Sequence, residues 1–293
     1  MIPILTLVSE SARKIKMTRL KTKDIADIAA NLNAYDTRLL SQTGRTLKGI
    51  ACLTAGIGES RLLKLQGRIR VGVIPFSCDQ GIISVFSETV ASIINHLGFF
   101  AFGAADSDVE AMVDACRREA DILFMADERR FVAIDLQSRN VVDNADMTGR
   151  GFTAGLALMA GGLMGKSVFV IGCGEVGRAA TESLLSMGAD VAAYDVNTSS
   201  THALARQTGS TIKVEPNLDT ALRHYDLLFD ASPAADIIRV GHIDEKTFVA
   251  APGMPCGTTA AAAEKLNRRL LHDPLRIGVA CMLVNAVKMF IGS

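Results

Sequence analysis

The apolar run Val168–Ile171 ends in Gly172-x-Gly174-x-x-Gly177, and a carboxylate, Asp195, closes a second apolar run 18 residues after Gly177. Strand, glycine turn, helix, strand and carboxylate in this order form the dinucleotide-binding fingerprint. Gly172 permits the tight turn out of the strand. Gly174 lets the backbone approach a diphosphate, and Gly177 lets the next helix pack close to the sheet. The free N–H groups of this turn, which also holds Cys173, Glu175 and Val176, act with the helix dipole to favour phosphate charge. Asp195 stands near the distance at which a carboxylate meets the adenosine ribose hydroxyls. Val196 and Asn197 follow it, and no Arg or Lys comes before Arg206. A 2′-phosphate would meet an unbalanced negative charge, so the expected cofactor is NAD rather than NADP. The plainer alternative is a Rossmann unit with no cofactor, or with another nucleotide.

In a parallel sheet, ligands lie beyond the carboxyl ends of the strands, and this selects five further segments. The loop holding Ser77 and Cys78 follows a strand at 70–75 and leads to a helix entrance at Ser84 and Ser87. Small polar residues there suit a bound carboxylate, or simply cap the helix. Asp127 ends a strand at 122–125 and faces the expected cleft; a lone Asp in such a place is more often a solvated or capping residue. Ala231, Ser232 and Pro233 form a loop after the strand 226–230, and Pro252 and Gly253 another after 247–250. Loops in these places pass beneath a nicotinamide ribose, though Pro and Gly also serve plain turns. Asp273, just before the last helix, reaches the cleft or caps. No GxSxG elbow is present, and no lysine base of the amino-acid dehydrogenase type. If an amine is oxidised, a carboxylate must bind it.

These residues need two scaffolds. The 293 residues allow one to two domains, and the apolar share of 49% is enough for sizeable cores. The expected fold class is α/β with two domains: an N-terminal helical and α-β-α catalytic domain, and a C-terminal Rossmann dinucleotide-binding domain. The division reads as an extension at 1–16, ahead of a start at Met17, a substrate domain at 17–147, and a nucleotide domain at 148–293. Ile25, Ile28, Leu32 and Tyr35 share one helical face, with Thr22 as its cap; 46–55 is ambiguous. Strands follow at 70–75, 99–102, 122–125 and 132–135, with helices from about 84 to 97 and 106 to 118. A Gly- and Ala-rich helix at 148–162 crosses between domains. The last helix, 277–290, packs back on the first domain or on the crossing helix.

Lys+Arg and Asp+Glu balance at 31 each, which argues against a nucleic-acid surface or a polybasic membrane anchor. No apolar stretch reaches spanning length; the best, 277–290, holds Asn285 and Lys288. The six cysteines lack CxxC spacing and the five histidines do not cluster, so neither a disulfide frame nor a metal is expected. A cytoplasmic protein with reduced thiols fits. Small dehydrogenases often dimerise, so a homodimer stands as an option that the sequence leaves open.

The segments 71–88, 97–99, 122–127, 170–177, 194–195, 251–256 and 274–278 together resemble the PylD family of pyrrolysine biosynthesis, from about Met17 to the end. The block Gly81-Ile82-Ile83-x-x-Phe86-Ser87-Glu88 and the block ending in Asp127 are far more specific than the glycine fingerprint. The resemblance implies an NAD-dependent amine oxidation. Its substrate is an isopeptide-like small molecule, a lysine acylated on its ε-nitrogen by 3-methyl-D-ornithine. Oxidation at the δ-amine, capture by the α-amine and loss of ammonia close a pyrroline ring. Asp127 then matches the acidic position that fixes the ornithine amine. Asp273 matches a position where archaeal relatives carry Glu. The loop from Ser77 through Cys78 and Ser84 to Ser87 holds the lysine end, and Leu20 matches an apolar contact from an N-terminal helix. Other amino-acid or hydroxy-acid dehydrogenases and a non-catalytic NAD-sensing regulator remain the competing readings.

Overall fold

The computed structural model describes residues 20–75, 85–104, 107–127, 129–209 and 212–292. The expected extension at 1–16 lies outside them. The first half runs α1 (Thr22–Ile25), α2 (Leu32–Thr43), α3 (Leu47–Ala55), α4 (Glu59–Leu63), β1 (Arg70–Pro75), α5 (Phe86–His96), β2 (Phe100–Gly103), α6 (Asp108–Arg117), β3 (Ile122–Ala126), β4 (Phe131–Asp135) and β5 (Val141–Asp143). The second runs α7 (Asn144–Met159), β6 (Ser167–Ile171), α8 (Glu175–Ser186), β7 (Asp190–Tyr194), α9 (Thr198–Gln207), β8 (Lys213–Val214), α10 (Leu218–His224), β9 (Leu227–Asp230), β10 (Phe248–Ala251), α11 (Ala260–Leu266), β11 (Leu270–His272) and α12 (Arg276–Val287).

The first sheet has the order β2-β1-β3-β4-β5. β1 pairs in parallel with β2 and β3, and β4 and β5 return antiparallel. The second sheet is parallel throughout, in the order β11-β10-β9-β6-β7-β8. This is the doubly wound order with its switch point between β6 and β9, where a ligand crevice opens beyond the strand ends. Alternation along the strands feeds two cores: Val168 and Val170 face one side of β6, and Phe169 and Ile171 the other. The α/β class with a Rossmann half therefore holds.

α7 sits at the centre of the molecule, and its glycines explain how. A Cβ on Gly149 would lie 2.7 Å from the Val176 carbonyl on α8, one on Gly151 2.7 Å from Cys281 on α12, and one on Gly155 2.3 Å from Leu271 on β11. The helix is packed on three sides too tightly for side chains there. It starts at Asn144, four residues before the expected 148, because the Asp143 carboxylate caps it through the Ala145 N–H at 2.8 Å.

α12 is buried from Ile277 to Val287 and packs on α3, α5 and α7. Each fully buried aliphatic on it contributes about 1.5–3 kcal/mol, so this helix ties the second half of the chain to the first. The apolar face of Ile25, Ile28, Leu32 and Tyr35 is buried as expected. It is split, however: α1 and α2 are separated by a short 3-10 turn at Ala29–Asn31, and Lys21 rather than Thr22 is the N-cap. The ambiguous stretch 46–55 is helix α3, capped by Thr46 on the Gly49 N–H. Among the described residues, no helix is long and apolar enough to cross a membrane.

Candidate active site

The glycine turn joins β6 to α8 at the middle of the second sheet. Gly172 has φ +91°, a conformation that glycine takes without strain. A Cβ on Gly177 would fall 1.8 Å from the Gly172 carbonyl oxygen, so α8 begins against the turn itself. Gly174 differs from both. A Cβ there would meet nothing within 4 Å among the described residues, which leaves its backbone open on the side where a ligand would lie. No side chain caps α8, and the first N–H groups of a helix have no partner within it. Asp195 ties the turn to β7: Oδ2 accepts the Cys173 N–H and Oδ1 the Asn197 N–H, each at 2.8 Å. Each oxygen keeps a lone pair for a ribose hydroxyl. The Cys173 thiol is pushed up to about 11 by burial, so it plays the part of a small apolar side chain.

Two more loops close the floor. Asp230 ends β9, fully buried; its Oδ1 accepts the Ser232 N–H at 3.0 Å and the Ser232 hydroxyl at 2.6 Å. Its carbonyl accepts the Gly253 N–H at 3.2 Å. A side chain on Gly253 would strike the Ser232 carbonyl at 2.1 Å, so the loop of Ala231, Ser232 and Pro233 and the loop of Pro252 and Gly253 are packed face to face. The structure thus brings together the glycine turn, Asp195 and both of these loops at the carboxyl edge of one sheet.

Asp127 stands at the carboxyl end of β3 and is exposed. Its Oδ1 accepts the N–H groups of Arg129 and Arg130, both at 2.7 Å. No partner for Oδ2 is found among the described residues. Arg130 donates to Asp143 Oδ2 from Nε at 3.1 Å and from Nη2 at 2.7 Å. The hydrogen bonds and charge of Asp143, with the charges of Glu175 and Asp127, hold the guanidinium above its usual range. Glu175 opens α8 on the glycine turn, so one arginine stands in the field of both Asp127 and the nucleotide loop. Arg130 carries no motif, and its partners lie elsewhere in the chain. Only its neighbourhood to Asp127 hinted at a role.

The family model "Pyrrolysine biosynthesis protein PylD, N-terminal domain" matches residues 24–142, and that of the alanine dehydrogenase/PNT C-terminal domain matches 141–246. The pyrrolysine synthase of Methanosarcina acetivorans is 29% identical over 91% of this chain and 98% of its own length. That of Methanosarcina barkeri is 29% identical over 93% and 99%. Residues 24–142 thus match the PylD N-terminal domain, and the likeness to the two synthases runs along nearly the whole chain. Among solved structures, quinate dehydrogenase from Corynebacterium glutamicum in complex with NAD is 18% identical, covers 77% of this chain and 94% of its own, and has a TM-score of 0.52. Shikimate dehydrogenase from Aquifex aeolicus is 15% identical over 77% and 92%, with a TM-score of 0.51. At this identity, both speak to the fold alone: a dehydrogenase-type arrangement of two α/β halves.

The remaining expected residues separate. Ser77, Cys78 and Ser84 lie outside the described residues. Ser87 lies in the first turn of α5, buried, and the position before the helix belongs to Val85, with no side-chain cap. Leu20 is half-buried against the core of the first half. Asp273 is placed differently from the catalytic reading. Its side chain is fully buried. Oδ1 accepts the N–H groups of Leu275 at 2.9 Å and Ile277 at 3.2 Å, and Oδ2 pairs with Arg276 at 2.8 Å. Arg276 in turn lies over the Tyr35 ring at 4.5 Å. The carboxylate caps α12 and joins it to α2, and an acid–base role for it is not carried forward. Asp273→Asn should therefore lower stability by about 3 kcal/mol, because it strands a buried guanidinium. A thermal melt reads this as a fall of roughly 6–12 °C. A wild-type melting temperature with lost turnover would return Asp273 to the catalytic list.

Proposed function

We propose that this chain is an NAD-dependent amine dehydrogenase that completes pyrrolysine, oxidising the ornithine δ-amine of 3-methyl-D-ornithyl-Nε-L-lysine. One observation carries the reading: the exposed carboxylate of Asp127, with Oδ2 unbonded among the described residues, ends β3 beside Arg130, whose guanidinium pairs with Asp143 and lies in the field of Glu175 on the nucleotide turn. The match over nearly the whole chain to two proteins named pyrrolysine synthase supports the substrate class.

The glycine turn and the first N–H groups of α8 hold the diphosphate. Asp195 takes the adenosine ribose, and the packed loops at 231–233 and 252–253 support the nicotinamide end. NAD rather than NADP fits, because Asp195 and the uncharged Val196 and Asn197 give a 2′-phosphate no positive partner. When bound, NAD supplies the hydride acceptor. The amine must be uncharged before hydride can leave its carbon, since only a free lone pair can stabilise the developing cation. Asp127 holds the ammonium form and takes that proton. Arg130 sets a positive charge in the same neighbourhood. The resulting imine is attacked by the α-amine of the same ornithine unit. Ammonia departs and the pyrroline C=N remains, one hydride and one proton having left the substrate. The nucleophile is intramolecular, so proximity supplies much of the rate.

Incubating the purified protein with the isopeptide and NAD should give NADH absorbance, one equivalent of ammonia and pyrrolysine by mass spectrometry. NADH without ammonia would point to another dehydrogenase. NAD binding without turnover of any amine or hydroxy acid would point to a sensor.

A further inference from the structure

Asp127 stands on the first sheet and the glycine turn on the second, so the proposed proton and hydride transfers need the two halves held in register. The ladder of the first sheet does not do this for Asp127. Its β3–β4 part ends at the pair Ala126 and Phe131, and residues 127–130 form the turn beyond it. That turn closes on itself. The Asp127 N–H donates to the Arg130 carbonyl at 2.9 Å, and Asp127 Oδ1 accepts the Arg129 and Arg130 N–H groups. These bonds fix Oδ2 relative to the turn, but not the turn relative to the rest of the chain.

The Arg130 side chain supplies the anchor. Nε and Nη2 both donate to Asp143 Oδ2, at 3.1 and 2.7 Å, and two bonds from one planar group set its orientation. Asp143 Oδ1 accepts the Ala145 N–H at 2.8 Å and so caps α7. One carboxylate therefore joins the turn to the start of the central helix. Gly149 follows about 9 Å further along the helix axis. A Cβ there would lie 2.7 Å from the Val176 carbonyl and 2.8 Å from the Ala180 nitrogen, so α7 is seated directly on α8. From Asp127 to Val176 in the glycine turn, every link is a hydrogen bond, a helix or a close contact.

Stability does not account for the ion pair. The Arg130 side chain is 63% exposed and that of Asp143 25%, and pairs this open to water add little to a fold. Arg150–Asp146, Arg178–Glu182 and Arg223–Asp219 each span one turn of a single helix. Arg130 and Asp143 lie 13 residues apart and join different elements.

We propose that Arg130 and Asp143 are positioning residues: their ion pair pins the turn of Asp127 to the N-terminus of α7 and so registers this carboxylate with the nucleotide half. The consequence for catalysis rests on the amine-dehydrogenase reading; the pin itself does not.

Amide hydrogen exchange at Arg129 and Arg130, read by NMR, tests the pin. It should be about tenfold or more faster in Asp143→Asn, with α8 unchanged. Asparagine keeps an oxygen for the Ala145 N–H, so the melting temperature should stay within about 2 °C. In Asp143→Asn and in Arg130→Gln, kcat for the isopeptide should fall about ten- to a hundredfold, with KM and NADH affinity within about twofold. The double variant should fall no further than the single ones, because both remove one contact. Should Asp143→Asn fail to fold, Arg130→Gln carries the same test at Arg129, since it leaves the α7 cap in place. Native exchange rates in the variant overturn the pin whatever the turnover does. Faster exchange with native kcat, or losses that multiply in the double variant, overturn the positioning role. No turnover of the isopeptide by the native chain is a different result: it removes the amine-dehydrogenase reading, and the exchange rates still decide the pin.

Discussion

Gly174→Ala should leave the melting temperature unchanged and weaken NADH binding by at least about tenfold, while Gly177→Ala should damage fold and binding together. The two residues sit three apart in one turn, yet the space around them is opposite. A Cβ on Gly174 meets nothing within 4 Å, and its backbone lies at φ −73° and ψ −167°, which alanine adopts without strain. Among the described residues nothing stands in the way of such a methyl, so what it would obstruct is a ligand lying on the turn. A Cβ on Gly177 lands 1.8 Å from one backbone atom, the Gly172 oxygen, and 2.9 Å from another. No rotamer change relieves that contact, so α8 must shift outward from the sheet. Overpacking of this kind costs about 1–3 kcal/mol, which corresponds to a fall of a few degrees in the melt. Intrinsic fluorescence quenching is ruled out by the absence of Trp, so NADH fluorescence enhancement or calorimetry should be used. Wild-type NADH affinity in Gly174→Ala would remove the dinucleotide from this turn and, with it, the cofactor assignment.

How much of this was legible before any coordinates follows from the range of the interactions. The glycine turn is local: strand, turn, helix and Asp195 fall within 30 residues, and each residue type has one physical task there. Strand β1 was legible to the residue because Arg70 and Pro75 bracket an unbroken apolar run. What failed was of two kinds. Short edge elements, β5 and β11, have three residues each, too few for any period to show. Pairings across the chain left no trace in spacing. The Arg130–Asp143 contact needs β5 folded back on β4, and the His272–Ala251 contact needs β10 beside β11. Asp273 shows the converse error. Its position before a helix fits both a cap and a cleft residue, and only the Arg276 and Tyr35 side chains around it decide between them.

Asp127→Asn should lower kcat/KM for the isopeptide by about 10²–10³ while the melt and NADH affinity stay near those of the native chain. The substitution suits the question because of how this carboxylate is used. Oδ1 closes the β3–β4 turn on the N–H groups of Arg129 and Arg130, and an asparagine amide oxygen can accept the same two bonds. What asparagine cannot supply is the charge or the basic site at Oδ2. Asp127→Ala, by contrast, removes the turn contacts as well and should cost stability of about 1 kcal/mol in addition. The pair separates chemistry from architecture. Raising the pH should partly restore Asp127→Asn, because at high pH the substrate amine is already uncharged and needs no base. A structural defect would not respond to pH in that way. Arg130→Gln should lie between, because it leaves the Asp127 carboxylate in place and removes the positive charge next to it and the ion pair with Asp143. Near-normal turnover of Asp127→Asn at neutral pH would show that the amine is held elsewhere. The proton would then have to leave by a route that bypasses the first sheet.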